Sequence, residues 1–182
     1  MSPPRANVAE PFPAPDALPD GVEVQHARAR DFVVPDGTAA LVLTDPPWHL
    51  SAADVWEELA ETAARVLRPG GHLATYCGQL MLPHALKVLG ARLDYRWTAA
   101  ALRSGAQPVW GRAWVICKWR PILVFQCGAD VRRRQFFDVL GASVALPSEK
   151  GGHPWQQPEA EASYLIERLT DPGDLVIDPF CG

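Results

Sequence analysis

Metal-ligand and disulfide spacing are both missing from this sequence. Its four cysteines (Cys77, Cys117, Cys127 and Cys181) lie far apart with no C-x-x-C pair, and its five histidines include no H-E-x-x-H. That argues against a bound metal and a disulfide framework, and predicts reduced, buried thiols. No stretch approaches the roughly 18 uninterrupted apolar residues of a membrane span. The N-terminus carries no basic, apolar and small-residue leader, which points to the cytoplasm. A G-x-x-x-x-G-K-[ST] loop is also lacking, so phosphate cradling of the P-loop kind is not expected. No internal repeat is visible.

What is present is enough chain for one sizeable core and hardly for two: 182 residues, 48% hydrophobic. The net charge of −4 argues against a polyanionic partner, but its distribution does not. Between residues 92 and 134 there are nine basic and two acidic side chains, flanked on both sides by acidic segments. This island contains Arg103, Arg112, Lys118, Arg120 and the run Arg132, Arg133 and Arg134. A solvated face is one reading of such a run. A nucleic acid lying against one side of the fold is the other.

Residues 1–20 hold six prolines and no apolar period, and read as a disordered leader before a single domain over 21–182. "GVEVQHARARDF" offers a short strand and a polar connection. "AALVLT" is an unbroken apolar run of strand length, as for a strand buried on both faces. From Ala52 the apolar residues Val55, Leu59, Ala63, Val66 and Leu67 recur at helical spacing, and "RPGG" stops that helix. "HLATYC" reads as a strand, "LMLPHALKVLG" as a helix and "RLDYRWTAAAL" as a strand, followed by turn-rich "RSGAQPVWGR". "AWVICKW" and "PILVFQ" are β-rich, "PEAEASYLIERLT" is helical and "LVID" is a last strand. This alternation predicts an α/β fold with a mainly parallel sheet and helices on both faces. Core or domain packing is expected for Trp97, Trp110, Trp114 and Trp119.

The run "AALVLTDPPWHL" ends in a group with two readings. Asp-Pro-Pro is an ordinary way to leave a sheet, with Trp48 simply core. The same residues also make a stiff segment, because both prolines fix φ and bias the residue before them toward extended backbone. Asp45 and the Pro46 carbonyl then become two aimed acceptors, with Pro47 stiffening the segment and Trp48 as an aromatic plate beside it. Two acceptors and a stacking face suit the exocyclic amine of a planar base. Near the other end, "GDLVIDPFCG" is a strand running into a loop with Asp178, Phe180 and Gly182, where glycine permits close approach to a nucleotide-like ligand.

With "DPPW" at 45–48, "RVLRPGGHL" at 65–73, "KWRPILVF" at 118–125, "HPWQQP" at 153–158 and "GDLVIDPFCG" at 173–182, the chain resembles the DNA amino-methyltransferases that modify adenine N6 or cytosine N4. The order, catalytic motif before cofactor motif, is similar to the permuted branch, and "WTAAALRSGAQPVWGRAWVICKWRPILVF" resembles phage-like solitary members. The resemblance implies a Rossmann-like fold dependent on S-adenosylmethionine. It implies that Asp45, Pro46, Pro47 and Trp48 grip a base flipped out of duplex DNA. It further implies that Asp178, Phe180 and Gly182 line the cofactor pocket, with His153, Pro154 and Gln156 closing over it. Region 92–134 is then the DNA-facing side. An acid in the first motif position is more usual in adenine-N6 enzymes, which makes adenine the expected target.

Two departures stand out. In "HPWQQP", Trp155 and Gln157 replace a threonine and a lysine of the family pattern. The family's cofactor loop also runs on to a second glycine and further strands, so the expectation is a catalytic domain continuing past Gly182. Two other readings stay open at this point. One is a non-catalytic remnant that keeps DNA affinity, and the other is an RNA or protein amino-methyltransferase using the same grip.

Overall fold

The computed structural model describes residues 18–49, 52–109, 114–131, 134–141 and 158–181. The expected leader, residues 1–17 above all, falls outside them. Among the described residues, six strands form one sheet: β1 (Ala39–Thr44), β2 (Leu67–Tyr76), β3 (Asp94–Val109), β4 (Val115–Gln126), β5 (Val139–Leu140) and β6 (Val176–Ile177), in the order β5-β3-β4-β2-β1-β6. β1 pairs parallel with β2 and β6, and β3 parallel with β5, while β4 runs antiparallel to both β2 and β3. Of these strands only β4 is therefore reversed, and the expected mainly parallel sheet is present.

Helices cover both faces, which explains why the strand sequences are apolar runs rather than alternating ones. On one face, α1 (Ala53–Val66) and α2 (Leu82–Gly90) bring Trp56, Leu59, Ala63, Val88 and Leu89 against Val42, Leu73, Leu123 and Phe125. On the other, α3 (Glu159–Leu169) brings Tyr164, Leu165 and Leu169 against Leu41, Leu43, Ala74 and Ile122. All six residues of β1 are buried.

Several elements differ from the sequence reading for identifiable reasons. No strand forms at "GVEVQHARARDF". Instead, the Gln25 amide donates to the Val33 carbonyl and accepts from the Val33 N–H, both at 3.0 Å, supplying the pairing that a ladder would. A short 3₁₀ turn at Ala29–Asp31 follows Arg28, and Arg65 donates to the carbonyls of Phe32 and Val34. Leu67 opens β2 rather than closing α1. "RPGG" then forms an irregularity inside β2, where Ala39 pairs with Leu67 but Leu41 with His72. Gly71 is required there, since a Cβ would fall 2.9 Å from the carbonyl oxygens of both Ala39 and Arg68. The turn-rich segment after Leu102 stays within β3, absorbed by a register shift between Leu102 and Gln107. The two β-rich runs around Pro121 are one strand, β4. Pro121 lies just past the last β2–β4 pair, Tyr76 with Ile122, so its missing N–H interrupts no ladder on that side.

Some burial expectations also change. Cys77 is buried, Cys117 and Cys127 are half-buried, and Cys181 is exposed, all as free thiols. Trp97 and Trp114 are 52% and 85% exposed and Trp119 is also exposed, so none of the three is core. Trp119 lies on the outer part of β4 and Trp114 just before it, while Trp97 lies on β3 opposite Val124 with its indole N–H donated to Asp138 at 3.0 Å. Trp110 and Trp155 lie outside the described residues.

Candidate functional site at the carboxyl ends of the strands

β1 neighbours β2 on one side and β6 on the other, with α1 and α3 on opposite faces. Open α/β sheets bind ligands beyond the strand carboxyl ends at such a reversal. Both sequence motifs sit there. Asp45–Trp48 leaves β1 and Asp178–Phe180 leaves β6, and they share one cleft of about 1240 Å³ with Arg120 and the segment 21–35.

The proline segment is held from below. Trp56, fully buried on α1, donates its indole N–H to the Pro47 carbonyl at 3.2 Å. Pro46 is buried, Asp45 and Trp48 are half-buried, and Pro47 is exposed. Trp48 lies against Gly78 in the loop after β2, where a Cβ would come 2.9 Å from the Trp48 Cβ. The Arg120 guanidinium sits over the Trp48 ring, 4.6 Å from its centroid. Across the β1–β6 junction, Thr44 donates its hydroxyl to Asp178 Oδ1 at 2.5 Å, and the Phe180 N–H donates to the same oxygen at 3.0 Å. Burial raises the Asp178 pKa above the ordinary carboxylate range, and these two hydrogen bonds oppose the rise.

A buried polar cluster adjoins the motif. Tyr76, the last residue of β2, donates to Glu161 Oε2 at 3.2 Å, and Arg103 of β3 approaches Glu161 Oε1 at 3.7 Å. Glu161 is only 2% exposed. Burial lifts its pKa, with Arg103, the Tyr76 hydroxyl and Arg120 pulling the other way. Burial, then the Glu161 charge, pushes the Tyr76 phenol far up. The Cys77 thiol is pushed up to about 12 by burial and then by the Asp45 charge. That cysteine is therefore an inert neighbour rather than a nucleophile.

The basic residues scatter in role. Arg103 and Arg120, read from the sequence as phosphate contacts, point into this cluster. Burial lowers the Arg120 pKa, as does Arg103, whereas Asp45, Glu161 and Tyr76 favour its charged form. Lys118 is exposed on outer β4. Arg134 donates to the Glu167 carbonyl at 2.7 Å and pairs with Asp171, tying its segment to α3. Arg112, Arg132, Arg133, His153, Pro154, Gln156 and Gly182 lie outside the described residues. Tyr76, Glu161, Thr44 and Trp56 were not singled out from the sequence. Two left a signal: Trp56 shares the helical spacing of Leu59, Ala60 and Ala63, and Glu161 occupies an apolar position three and four residues before Tyr164 and Leu165. Among the described residues no cluster of three metal-ligating side chains occurs, and no helix is long and apolar enough to cross a membrane.

Neither a family model nor a curated protein matches the chain. Solved structures do. A putative DNA modification methylase of Thermus thermophilus, TTHA0409, is 18% identical over 86% of this chain and 78% of its own, with a TM-score of 0.64. It has also been solved complexed with S-adenosyl-L-methionine, with a TM-score of 0.62. M1.HpyAVI, in complex with SAM, is 17% identical over 80% of this chain and 72% of its own, with a TM-score of 0.59. The cytosine-N4-specific PvuII DNA methyltransferase is 17% identical over 82% and 69%, with a TM-score of 0.62. The chain shares the Rossmann-like fold of these methyltransferases.

Proposed function

We propose that the protein is an S-adenosylmethionine-dependent DNA methyltransferase acting on an exocyclic base amine, with adenine N6 as the preferred target. One observation carries the reading: Asp-Pro-Pro-Trp and Asp-Pro-Phe leave adjacent parallel strands into a single cleft. The similar folds named for DNA methylation, two of them solved with the cofactor, support it.

The residues present fit that cofactor. The cleft is large enough for a nucleoside and a base together, and Phe180 borders it beside Asp178. We assign Asp178 and Phe180 to the cofactor side, with Asp178 held in place by Thr44. Gly182, His153, Pro154 and Gln156 belong to the same proposal. When bound, S-adenosylmethionine supplies an electrophilic sulfonium methyl.

An exocyclic amine is a poor nucleophile because its lone pair is delocalised into the ring. The Asp45 carboxylate accepts one amine hydrogen and the Pro46 carbonyl the other, which favours a more tetrahedral nitrogen whose lone pair can attack. The surplus proton on the nitrogen after methylation would pass to the Asp45 carboxylate, which already accepts an amine hydrogen. Trp56 keeps the proline segment from moving by holding the Pro47 carbonyl. An acid, rather than a hydroxyl, at the first motif position favours adenine. DNA approaches from the basic side, with Lys118 among its contacts.

In the full-length protein, Asp45→Ala should abolish tritiated methyl transfer while leaving cofactor affinity, measured by calorimetry, within a few-fold. Methylation at a near wild-type rate would remove Asp45 from the mechanism.

A further inference from the structure

The proposed base grip depends on where the Trp48 ring lies, and among the described residues no hydrogen bond holds the ring. Its Nε1 is buried and meets no hydrogen-bond partner among the described residues. The side chain packs against the core on both faces of the sheet, a Cβ at Gly78 would fall 2.9 Å from its Cβ and 3.3 Å from its Cγ, and the Arg120 guanidinium stands over the aromatic face at 4.6 Å.

Arg120 is not a loose surface cation. It sits where β4 passes from exposed to buried, paired in register with Ala101. Asp45, Glu161 and Tyr76 are close enough to favour its charge, and Arg103, which opposes it, is drawn toward Glu161. Asp45, Trp48 and Arg120 line the same cleft, so the cation over the ring shares its surroundings with the carboxylate.

We infer that Arg120 is a positioning residue that clamps Trp48 from one face and couples the ring to Asp45, so that the aromatic plate and the carboxylate of the base grip are set together. This rests on the methyltransferase reading above. The clamp acts through Trp48 and does not itself touch the reacting atoms. A partly desolvated cation over an indole is a favourable contact. It needs a positive charge, which a lysine also supplies, with poorer planar stacking.

Full-length protein labelled with 5-fluorotryptophan provides the test, the Trp48 resonance being assigned by Trp48→Phe. Arg120→Met should shift that resonance. It should also lower kcat for DNA methylation about tenfold while leaving cofactor Kd within twofold. Arg120→Lys should restore most of kcat and bring the resonance back toward wild type. An unmoved Trp48 resonance in Arg120→Met overturns the clamp, and so does a moved resonance with unchanged kcat. If the wild-type protein transfers no methyl group to DNA, the methyltransferase reading fails, and the fluorine spectrum alone then decides the clamp.

Discussion

Within the single strand β4, the first six residues, Val115–Arg120, are exposed or half-buried, whereas the last six, Pro121–Gln126, are buried throughout. The inner half has β2 on one side, β3 on the other, α1 and α2 against one face and α3 toward the other. The outer half pairs with β3 alone. The same strand thus serves as core and as arm, and what changes is its company, not its propensity. The candidate site lies at the crossing point, where Arg120 can be half-buried among charges without being sealed in the core. A site there gains rigidity from one half and access from the other.

Substitutions along this boundary sharpen the contrast. Phe125→Ala, deep in the inner half, should cost about 3–5 kcal/mol in urea unfolding, the usual range for emptying a large aromatic site. Gly78→Ala should cost about 1–3 kcal/mol, since the new methyl group would overlap Trp48 and force it to shift. It should also slow methyl transfer, and unchanged kinetics would show that the Trp48 position is not critical.

Glu161→Gln tests the buried cluster through pH. A carboxyl whose pKa is raised by folding stabilises the fold while protonated. That contribution is lost as pH climbs from the ordinary carboxylate range through the higher folded value. Wild type should therefore lose stability relative to Glu161→Gln as pH rises through that window. The opposite trend would mean that the Arg103 ion pair outweighs burial. The smallest effect belongs to the arm: Ile116→Ala, at a residue 67% exposed, should change stability by no more than about 0.5 kcal/mol. A larger loss would show that the outer half is covered in solution.

The parts of the fold legible in the sequence were those set by local chemistry. Asp45–Trp48 could be placed after a buried strand because proline geometry and an unbroken apolar run are readable over ten residues. The helices around Leu59, Leu89 and Leu165 were readable from their spacing. The Glu161 cluster was not, because its partners Tyr76 and Arg103 are distant in sequence and meet only through the crossing of β2, β3 and α3. Charge counting saw Arg103 and Arg120 as members of a basic island, but composition carries no information about the direction a side chain takes. Trp119, on the exposed half of β4, was misjudged for a related reason. An aromatic residue in a strand is buried only where a layer covers that part of the sheet.

In the proposed reaction, the cleft between Asp45 and Asp178 brings a base amine to a methyl donor. Nucleoside mass spectrometry of DNA incubated with the full-length protein and S-adenosylmethionine tests it most directly. N6-methyladenine should appear in digests from the wild-type reaction and none from Asp45→Ala. DNA left without any methylated amine under conditions where the cofactor is bound would contradict it.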